Sequence, residues 1–398
     1  MKHKTNIIIG TRASKLAMLQ THSIIARLHQ QWPDLDIQIE QIHTLGDRNT
    51  TLPLTAIGGD GVFVMEIERA LLEGRIDLAV HSLKDLPTAQ TAGLYTCVVG
   101  AREDARDVLV WNEKHALFGD GFEEKRVEKH EGDRKGPHPT PPHSRLYYED
   151  EDGSIGPFIV EAGADVEKGG DPCGRLPTPK VSGRVRPGSP DNNVTSQLRI
   201  GTCSLRRTAQ LRALLPDMDI LPLRGNVDTR LRKLDAGEHD GIVLAAAGLH
   251  RLGAHERVAH RMTYLPFDVM LPAPGQGALA LEMCDEGSMR ELVAPLNDSL
   301  VQATTSAERM FMRRLGAGCY LPIAAYGEIQ HDRLALQGLV ISLDGKEQVR
   351  VRSSIPWSAQ SSVERAAQLG VQLAEQALEQ GAAAIIQTVN EGRVREHA

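Results

Sequence analysis

The sequence predicts an α/β protein of three domains, in which two α/β lobes are followed by a small α+β domain. Residues 6–112 alternate short apolar runs with amphipathic stretches of helical period, and the same alternation returns at 198–252. Such alternation indicates mainly parallel sheets with helical crossovers. After residue 300, three strand patterns lie between two helical patterns. A length of 398 residues also agrees with two or three domains.

The elements follow in a regular order. Residues 6–112 have the strand patterns NIIIG, IQIEQIHT, IDLAVHSL, YTCVVGA and DVLVWN, with helical patterns in ASKLAMLQTHSIIARLHQQW and GVFVMEIERALLEG. The second lobe has the strands LRIGTC, DILPLRG and GIVLAAAG, separated by the helices SLRRTAQLRALL and NVDTRLRKLDAG. The last domain has the helix TTSAERMFMRRLGAG, the strands IAAYGEI, LALQGLVISL and QVRVRSS, and one long helix, SVERAAQLGVQLAEQALEQGAAAII.

A glycine- and proline-rich stretch interrupts the second lobe. Residues 119–197 contain 12 Gly and 10 Pro among 79 positions, a composition typical of irregular or disordered chain. We interpret it as an insertion, in which only GPFIVEA favours a short ordered piece. Its histidines and its cysteine fit no standard metal-ligand spacing, so no metal site is predicted.

Charge and cysteine content exclude several classes of protein. The formal net charge of -7 and the pI near 6.1 give no global attraction to nucleic acid or to anionic membranes. The five cysteines are odd in number and form no CxxC pair, which favours a reducing compartment. No apolar run has the length of a membrane span or of a signal peptide, so we expect a cytoplasmic protein.

Positive charge is concentrated in the second lobe. Residues 199–233 contain eight basic residues against three acidic ones, which predicts an anionic ligand. In GTCSLRR, Arg206 and Arg207 lie in the first turn of a predicted helix, where backbone N–H groups also attract anions, and Arg224 follows a strand. Arginine binds carboxylates and phosphates through two points. The region has no aromatic residue for stacking, so a small anion is favoured over nucleic acid.

Two strand ends of the first lobe carry further polar residues. VHSLKDLP places Ser82, Lys84 and Asp85 after a strand, and GTRAS places Arg12 and Ser14 after another. Ligands of open α/β sheets bind outside the carboxyl ends of the strands, so these side chains are candidates for a site. From spacing alone, Lys84 and Asp85 fit a surface turn equally well.

Cys319 is the cysteine with the best setting for reactivity. It follows the glycines of LGAGCYLP, and a turn of small residues lets another molecule approach the thiol. Cys97, Cys203 and Cys284 are interpreted instead as small buried apolar residues. At this point three classes remain open: an enzyme with a tethered group, a solute-binding or sensor protein, and a thiol-dependent transferase or hydrolase.

A series of motifs resembles the porphobilinogen deaminase (hydroxymethylbilane synthase) family. The motifs are GTRASKLA, TLGD, GVFVMEIE, VHSLKDLPT, GTCSLRRTAQL, LRGNVDTRLRKLD, AAAGLHRLG, APGQGALA and GAGCYLPIAAYGE, and they cover the chain except for 119–197. The resemblance implies two lobes like those of type II periplasmic binding proteins and a small third domain. The implied division is 1–104 with 275–297 for domain 1, 105–274 for domain 2 and 298–398 for domain 3.

The resemblance also implies the chemistry. Four porphobilinogens are condensed with loss of ammonia on a dipyrromethane cofactor held as a thioether by Cys319, and the linear tetrapyrrole is then released by hydrolysis for haem or chlorophyll synthesis. Asp85 is implied as the catalytic carboxylate, and Gln276 lies in the hinge-side GQG motif. Residues matched to cofactor contacts are Arg12, Ser14, Ser82, Lys84, Thr202, Ser204, Arg206, Arg207, Arg224 and Arg230. Those matched to substrate contacts are Arg12, Arg224, Arg230 and Arg251.

The remaining expectations concern partners and departures from the pattern. The resemblance implies a monomer without metal, nucleic acid or membrane, with uroporphyrinogen-III synthase as a candidate downstream partner. Ala56 and Asp60 stand where relatives commonly have lysines, and Cys203 replaces a small hydroxyl residue. Asp85 favours the enzyme over a binding protein, because an acid in an arginine-rich site does not help to bind carboxylates.

Overall fold

Three sheets and a separate hairpin organise the described part of the chain. In the computed structural model, the described residues are 6–48, 61, 64–118, 145–149, 155–159, 198–216, 218–285, 288–316, 321–358 and 360–396. The strands are β1 (Asn6–Arg12), β2 (Asp36–Ile42), β3 (Leu78–Ser82), β4 (Leu94–Val99), β5 (Asp107–Trp111), β6 (Arg145–Glu149), β7 (Ile155–Ile159), β8 (Arg199–Gly201), β9 (Asp219–Leu221), β10 (Gly241–Ala245), β11 (Met262–Leu265), β12 (Leu279–Cys284), β13 (Ile323–Gln330), β14 (Arg333–Ile341) and β15 (Gln348–Pro356).

The described residues also form eleven α-helices. They are α1 (Lys15–Gln31), α2 (Leu45–Arg48), α3 (Met65–Leu72), α4 (Leu205–Leu214), α5 (Val227–Asp235), α6 (Ala246–Arg251), α7 (Ala254–Val258), α8 (Met289–Val293), α9 (Ser299–Arg314), α10 (Val363–Ala377) and α11 (Ala383–Glu396). Short 3₁₀ turns follow several strands and helices, and the one at Leu83–Asp85 directly follows β3. No described helix has the length and apolar character to cross a bilayer.

The two lobes have the same strand order. In the first, the order is β2-β1-β3-β12-β4, and in the second it is β9-β8-β10-β5-β11. The fourth strand of each sheet is antiparallel to its neighbours, and the other four run parallel. This fourth strand is exchanged between lobes, because β5 follows the last strand of the first lobe and β12 follows the last strand of the second. The predicted pair of α/β lobes of type II arrangement is confirmed.

Apolar runs in the sequence become the centres of these sheets. Ile7 and Ile9 of β1 and Ile242 and Val243 of β10 are fully buried. Helices cover both faces of a mainly parallel sheet, so its central strands read as continuous apolar runs. The chemistry-bearing residues are consequently left to the strand ends and to the first turns of the helices.

The third domain is the predicted α+β unit. Strands β13, β14 and β15 form an antiparallel meander, and α9 and α10 pack together and onto the sheet. Gly370 of α10 allows the close packing, because a Cβ there would lie 2.2 Å from the carbonyl oxygen of Ala307. The single long helix predicted at 362–386 is wrong: α10 and α11 are separated at Leu378–Ala382, where Gly381 has a φ of 101° that a continuous helix does not allow.

Most of the predicted insertion lies outside the described residues. Within 119–197, only β6 and β7 are described, as an antiparallel hairpin that pairs Arg145 with Ile159. The strand β7 coincides with the GPFIVEA stretch for which the sequence favours local order.

Candidate active site

The turn that follows β3 carries the central pair of candidate residues. Leu83 and Leu86 are only 1% and 2% exposed, and they anchor the turn in the first lobe. Lys84 and Asp85 lie between them and are partly exposed. We call residues 83–87 the 83–87 turn. At its start, Ser82 accepts a hydrogen bond from the Gln20 side chain at 3.0 Å.

Lys84 connects this turn to the hinge between the lobes. Its Nζ donates to Oε1 of Gln276 at 3.1 Å. Burial, together with the nearby positive charges of Arg207 and Arg206, lowers the pKa of Lys84 to about 8, although Asp85 and Asp107 oppose the change. Lys84 is therefore a cation that can lose its charge near neutral pH.

The helix α4 begins with the predicted polar cluster. Ser204 caps it by accepting a hydrogen bond from the Arg207 N–H at 3.5 Å, and the Thr202 hydroxyl accepts from the Ser204 N–H at 3.1 Å. The hydroxyls of both residues therefore hold the start of the helix. Thr202 is buried and Ser204 is partly exposed.

Arg206 and Arg207, which the sequence predicts to bind an anionic ligand, are buried and paired within the protein. Each is only 5% exposed, and both bind the fully buried carboxylate of Asp107. Nη1 of Arg206 lies 2.8 Å from Oδ2 of Asp107, and Nη2 of Arg207 lies 2.7 Å from Oδ1. Nη1 of Arg206 also donates to the Leu271 carbonyl, and Nη1 of Arg207 donates to that of Val243. Both arginines thus hold the second lobe together, whatever else they bind.

Asp107 joins the arginines to the hinge. The Gln276 side chain, which is 1% exposed, donates to Oδ1 of Asp107 at 2.9 Å. Burial alone would raise the pKa of Asp107, but the charges of Arg206 and Arg207 and the hydrogen bonds outweigh it and hold the pKa below its ordinary value. A continuous hydrogen-bonded path therefore runs from Lys84 through Gln276 and Asp107 to the two arginines. Sequence reasoning missed Asp107, because an acid at the start of an apolar strand has no signature of its own.

Positive charge remains in excess beside this network. The Nε of Arg207 is buried and has no hydrogen-bond partner among the described residues. Burial and the neighbouring Arg207 and Arg224 lower the pKa of Arg230 to about 10, and Cys203 and Asp85 partly offset this. The Nε of Arg230 donates to the Gly225 carbonyl at 2.8 Å. Mutual repulsion among buried cations is relieved by an anionic ligand, so the cluster can bind carboxylates.

Three other predicted residues lie at the end of a strand, at the start of a helix and beside the hinge. Ser14 caps α1 by accepting from the Ala17 N–H at 3.3 Å, and Arg12 ends β1 immediately before it. Arg251, which the resemblance matches to a substrate contact, donates from Nη2 to the Gly277 carbonyl at 2.6 Å, next to Gln276. Burial lowers the pKa of Arg251, and Glu103 opposes that change.

The cysteines separate into two groups. Cys97 is buried, and burial raises the pKa of its thiol to about 12. The thiol therefore stays neutral, in agreement with the prediction that Cys97 is a small buried apolar residue. Cys203 and Cys284 are partly exposed, so the expectation of burial is wrong for these two. Cys319 lies outside the described residues, as do Ala56 and Asp60. Within the described residues, no cluster of histidine, cysteine and acidic side chains could hold a metal ion.

Comparison with known proteins gives consistent matches. The family model "Porphobilinogen deaminase, dipyromethane cofactor binding domain" matches residues 7–127 and 186–291. The model "Porphobilinogen deaminase, C-terminal domain" matches residues 303–379. The two segments of the first match leave out most of the glycine- and proline-rich stretch.

Full-length relatives carry the same name. A porphobilinogen deaminase of Syntrophus aciditrophicus is 37% identical over 386 residues, covering 97% of this chain and 99% of the relative. One of Deinococcus radiodurans is 37% identical over 388 residues, with the same coverage. Among solved structures, the periplasmic aliphatic sulphonate binding protein SsuA of Escherichia coli matches with a TM-score of 0.33 and 13% identity, over 95% of this chain and 88% of that one.

Proposed function

The chain belongs to the porphobilinogen deaminase family, and on that premise we propose that Asp85 is its catalytic carboxylate and that the surrounding cations hold its anionic cofactor and substrate. The activity itself is that of a hydroxymethylbilane synthase, a transferase of tetrapyrrole biosynthesis. Its substrate is porphobilinogen and its cofactor is dipyrromethane. The residue roles below are our proposal.

The cation cluster fits the cofactor. A dipyrromethane carries acetate and propionate side chains on both rings, so it needs several cationic donors at once. Two observations carry this assignment: the buried Nε of Arg207 has no hydrogen-bond partner among the described residues, and burial together with the positive charges of Arg207 and Arg224 lowers the pKa of Arg230. When bound, the group supplies the nucleophilic pyrrole carbon at which the chain grows. Cys319 would hold it covalently, and Lys84, Arg207, Arg224 and Arg230 would hold its carboxylates.

Asp85 is suited to the step in which ammonia leaves. The C–N bond of the protonated aminomethyl group of porphobilinogen breaks, ammonia departs with the bonding pair, and the pyrrole nitrogen donates electrons to form a cationic azafulvene. A fixed carboxylate stabilises that cation more than it stabilises the neutral ring. The charge of Asp85 raises the pKa of Lys84 and of Arg230, the cations proposed to bind the carboxylates of the cofactor. This supports a position of Asp85 next to the bound cofactor and substrate.

A solute-binding protein is the second candidate for a fold of two lobes. It would need the arginines but not Asp85, since a carboxylate repels an anionic ligand. Membership of the family favours the enzyme.

We also propose the finer points of organisation. The exchange of β5 and β12 supports a first domain of 1–104 with 275–297 and a second of 105–274, and leaves 298–398 as the third. A cytoplasmic location is proposed, supported by the free thiols of Cys97, Cys203 and Cys284, which fit a reducing compartment. A monomer is proposed from the family resemblance alone. Uroporphyrinogen-III synthase, as the consumer of hydroxymethylbilane, is the proposed downstream partner.

The covalent role of Cys319 can be tested by intact mass. The purified protein should exceed the mass of the chain by two linked pyrroles, and Cys319→Ser should lack this increase and form no hydroxymethylbilane. Cys203→Ser, which changes a partly exposed thiol near the cluster, is the matched control and should keep the increase. An active protein without added mass would refute the cofactor attachment.

A second test uses the charge of Lys84. Because its pKa is lowered to about 8, kcat/KM for porphobilinogen should fall as the pH rises above this value and the cation is lost. A charged hydrogen bond contributes about 1.5 to 3 kcal/mol, so the fall should reach about tenfold or more. Lys84→Arg keeps its charge and should move the fall to higher pH. An identical alkaline limb in both proteins would contradict the role of Lys84.

A further inference from the structure

Two consecutive residues of the helix α9 make polar contacts with the hinge and with the first lobe. Glu308 is fully buried and accepts two hydrogen bonds from the Arg102 guanidinium, at 2.6 and 3.0 Å. It also accepts from the N–H groups of Gly275 and Gly327, each at 2.7 Å. This residue fixes α9 against the hinge, and the next residue, Arg309, is thereby directed to the 83–87 turn.

Arg309 binds the backbone of that turn at three points. Its Nη1 donates to the carbonyl oxygens of Leu83 at 3.2 Å and Leu86 at 3.0 Å, and its Nη2 donates to that of Pro87 at 2.5 Å. A planar guanidinium presents its donors in a rigid fork, so three fixed acceptors also fix the turn. The bonded carbonyls flank Lys84 and Asp85 on both sides.

The two leucines and the backbone of the turn are held by different parts of the protein. The side chains of Leu83 and Leu86 pack in a core cluster of the first lobe. A pocket of about 200 Å³ lies between the first lobe and α9, and Leu83, Leu86 and Pro87 line it together with Arg309 and Arg313. The hydrogen bonds of Arg309 therefore join the backbone of the turn to α9 beside this pocket.

The position of Arg309 along the chain links two parts of the site. It lies in the second-last turn of α9, which ends at Arg314, five residues before Cys319. One helix thus leads to the residue proposed to carry the cofactor and also holds the turn proposed to carry the catalytic carboxylate.

We propose that Arg309 is a positioning residue that orients Asp85 by holding the carbonyl groups of the 83–87 turn from the third domain. The inference rests on the proposed role of Asp85. The three hydrogen bonds of Arg309 given above all go to backbone carbonyl groups of the turn, so its loss should change the rate of the chemical step more than substrate affinity. Misplacement of a reacting group by about 1 Å is enough for a 10²-fold loss.

The experiment compares Arg309→Met, Arg309→Lys and Arg313→Met in the full-length, cofactor-loaded protein. Arg313 lies one helical turn later, borders the same cavity, is exposed, and makes no hydrogen bond to the turn among the described residues, which makes it a matched control. The measurements are cofactor occupancy by intact mass, single-turnover release of ammonia, KM for porphobilinogen, and hydrogen exchange of the backbone amides at 83–86.

Arg309→Met should keep its cofactor and its KM within about threefold, while release of ammonia slows by about 10- to 100-fold. Amide exchange should accelerate in the 83–87 turn and not in β1 or β14. Arg309→Lys, which keeps the charge but cannot reach three carbonyls, should recover only part of the rate, and Arg313→Met should match the wild type.

Wild-type exchange in the turn, or a wild-type rate despite faster exchange, would overturn the positioning role. So would accelerated exchange throughout the protein in both Arg309 variants, since that indicates a general structural role. Failure of the proposed role of Asp85 can be distinguished from failure of the positioning role of Arg309. The first would appear as a wild-type rate of ammonia release in an Asp85→Asn protein. The second would appear in the amide exchange of residues 83–86, which is measured separately.

Discussion

Asp85→Asn is expected to slow the release of ammonia from porphobilinogen by about 10² to 10³ while the fold is kept. Asparagine has nearly the same volume and still forms hydrogen bonds, but it lacks the charge that offsets the cationic intermediate. The charge of Asp85 raises the pKa of the neighbouring Lys84 and Arg230, so Asp85 is close enough to act electrostatically within the cation cluster. Single-turnover ammonia release, measured with melting temperature and cofactor mass, is the direct test.

Asp85→Glu is the control for orientation. It restores the charge but extends the side chain, so it should recover part of the lost rate. An Asn variant that carries cofactor and releases ammonia at the wild-type rate would remove Asp85 from the mechanism. That result would also return the solute-binding function to consideration.

Asp107→Asn is expected to destabilise the second lobe by about 3 to 5 kcal/mol. Asp107 is fully buried and balances Arg206 and Arg207, so the substitution leaves two buried guanidinium groups without their counter-charge. Urea unfolding followed by circular dichroism measures the change. Asp104→Asn is the matched control: it breaks a pair with Arg106 that is partly exposed, and should cost about 1 kcal/mol or less. Equal unfolding midpoints for the Asp107 variant and the wild type would contradict the structural role.

The pH dependence of this difference has a defined sign. The folded-state pKa of Asp107 is lowered, so its contribution to the free energy of unfolding is present above the unfolded pKa of about 3.9 and is lost as the pH falls towards the folded value. The gap between wild type and Asp107→Asn should therefore be constant near neutral pH and narrow below about pH 4. A gap that stays constant in acid would indicate that charge is not the cause.

Local patterns were sufficient for most of the fold. The apolar runs of β1 and β10, the capped start of α4 at Ser204 and the meander of the third domain all follow from period and composition. The prediction of one long helix at the end failed at Gly381, whose positive φ divides α10 from α11. The sequence does not show whether a helix continues through a single glycine in a helical pattern or ends there.

The exchange of strands between the lobes could not be derived from pattern. β5 and β12 have the same apolar character as their neighbours in the sheets. Each is antiparallel to its neighbours because the chain enters it from the other lobe, and no local pattern reveals that crossing. Only the family resemblance implied it. The same holds for Gln276, whose place in a buried network depends on partners at Asp107 and Lys84, far away in sequence.

The sequence by itself determined the class of fold, the local excess of positive charge and the polar residues at the strand ends, because periodicity, charge count and motif order are properties of the chain alone. Tertiary structure decided how that charge is divided. It paired Arg206 and Arg207 with the buried Asp107, kept the Nε of Arg207 without a hydrogen-bond partner among the described residues, and brought Arg309 to the 83–87 turn. The physical reason is that burial and pairing decide whether an arginine supports the fold or binds a ligand, and both depend on residues about a hundred or more positions away.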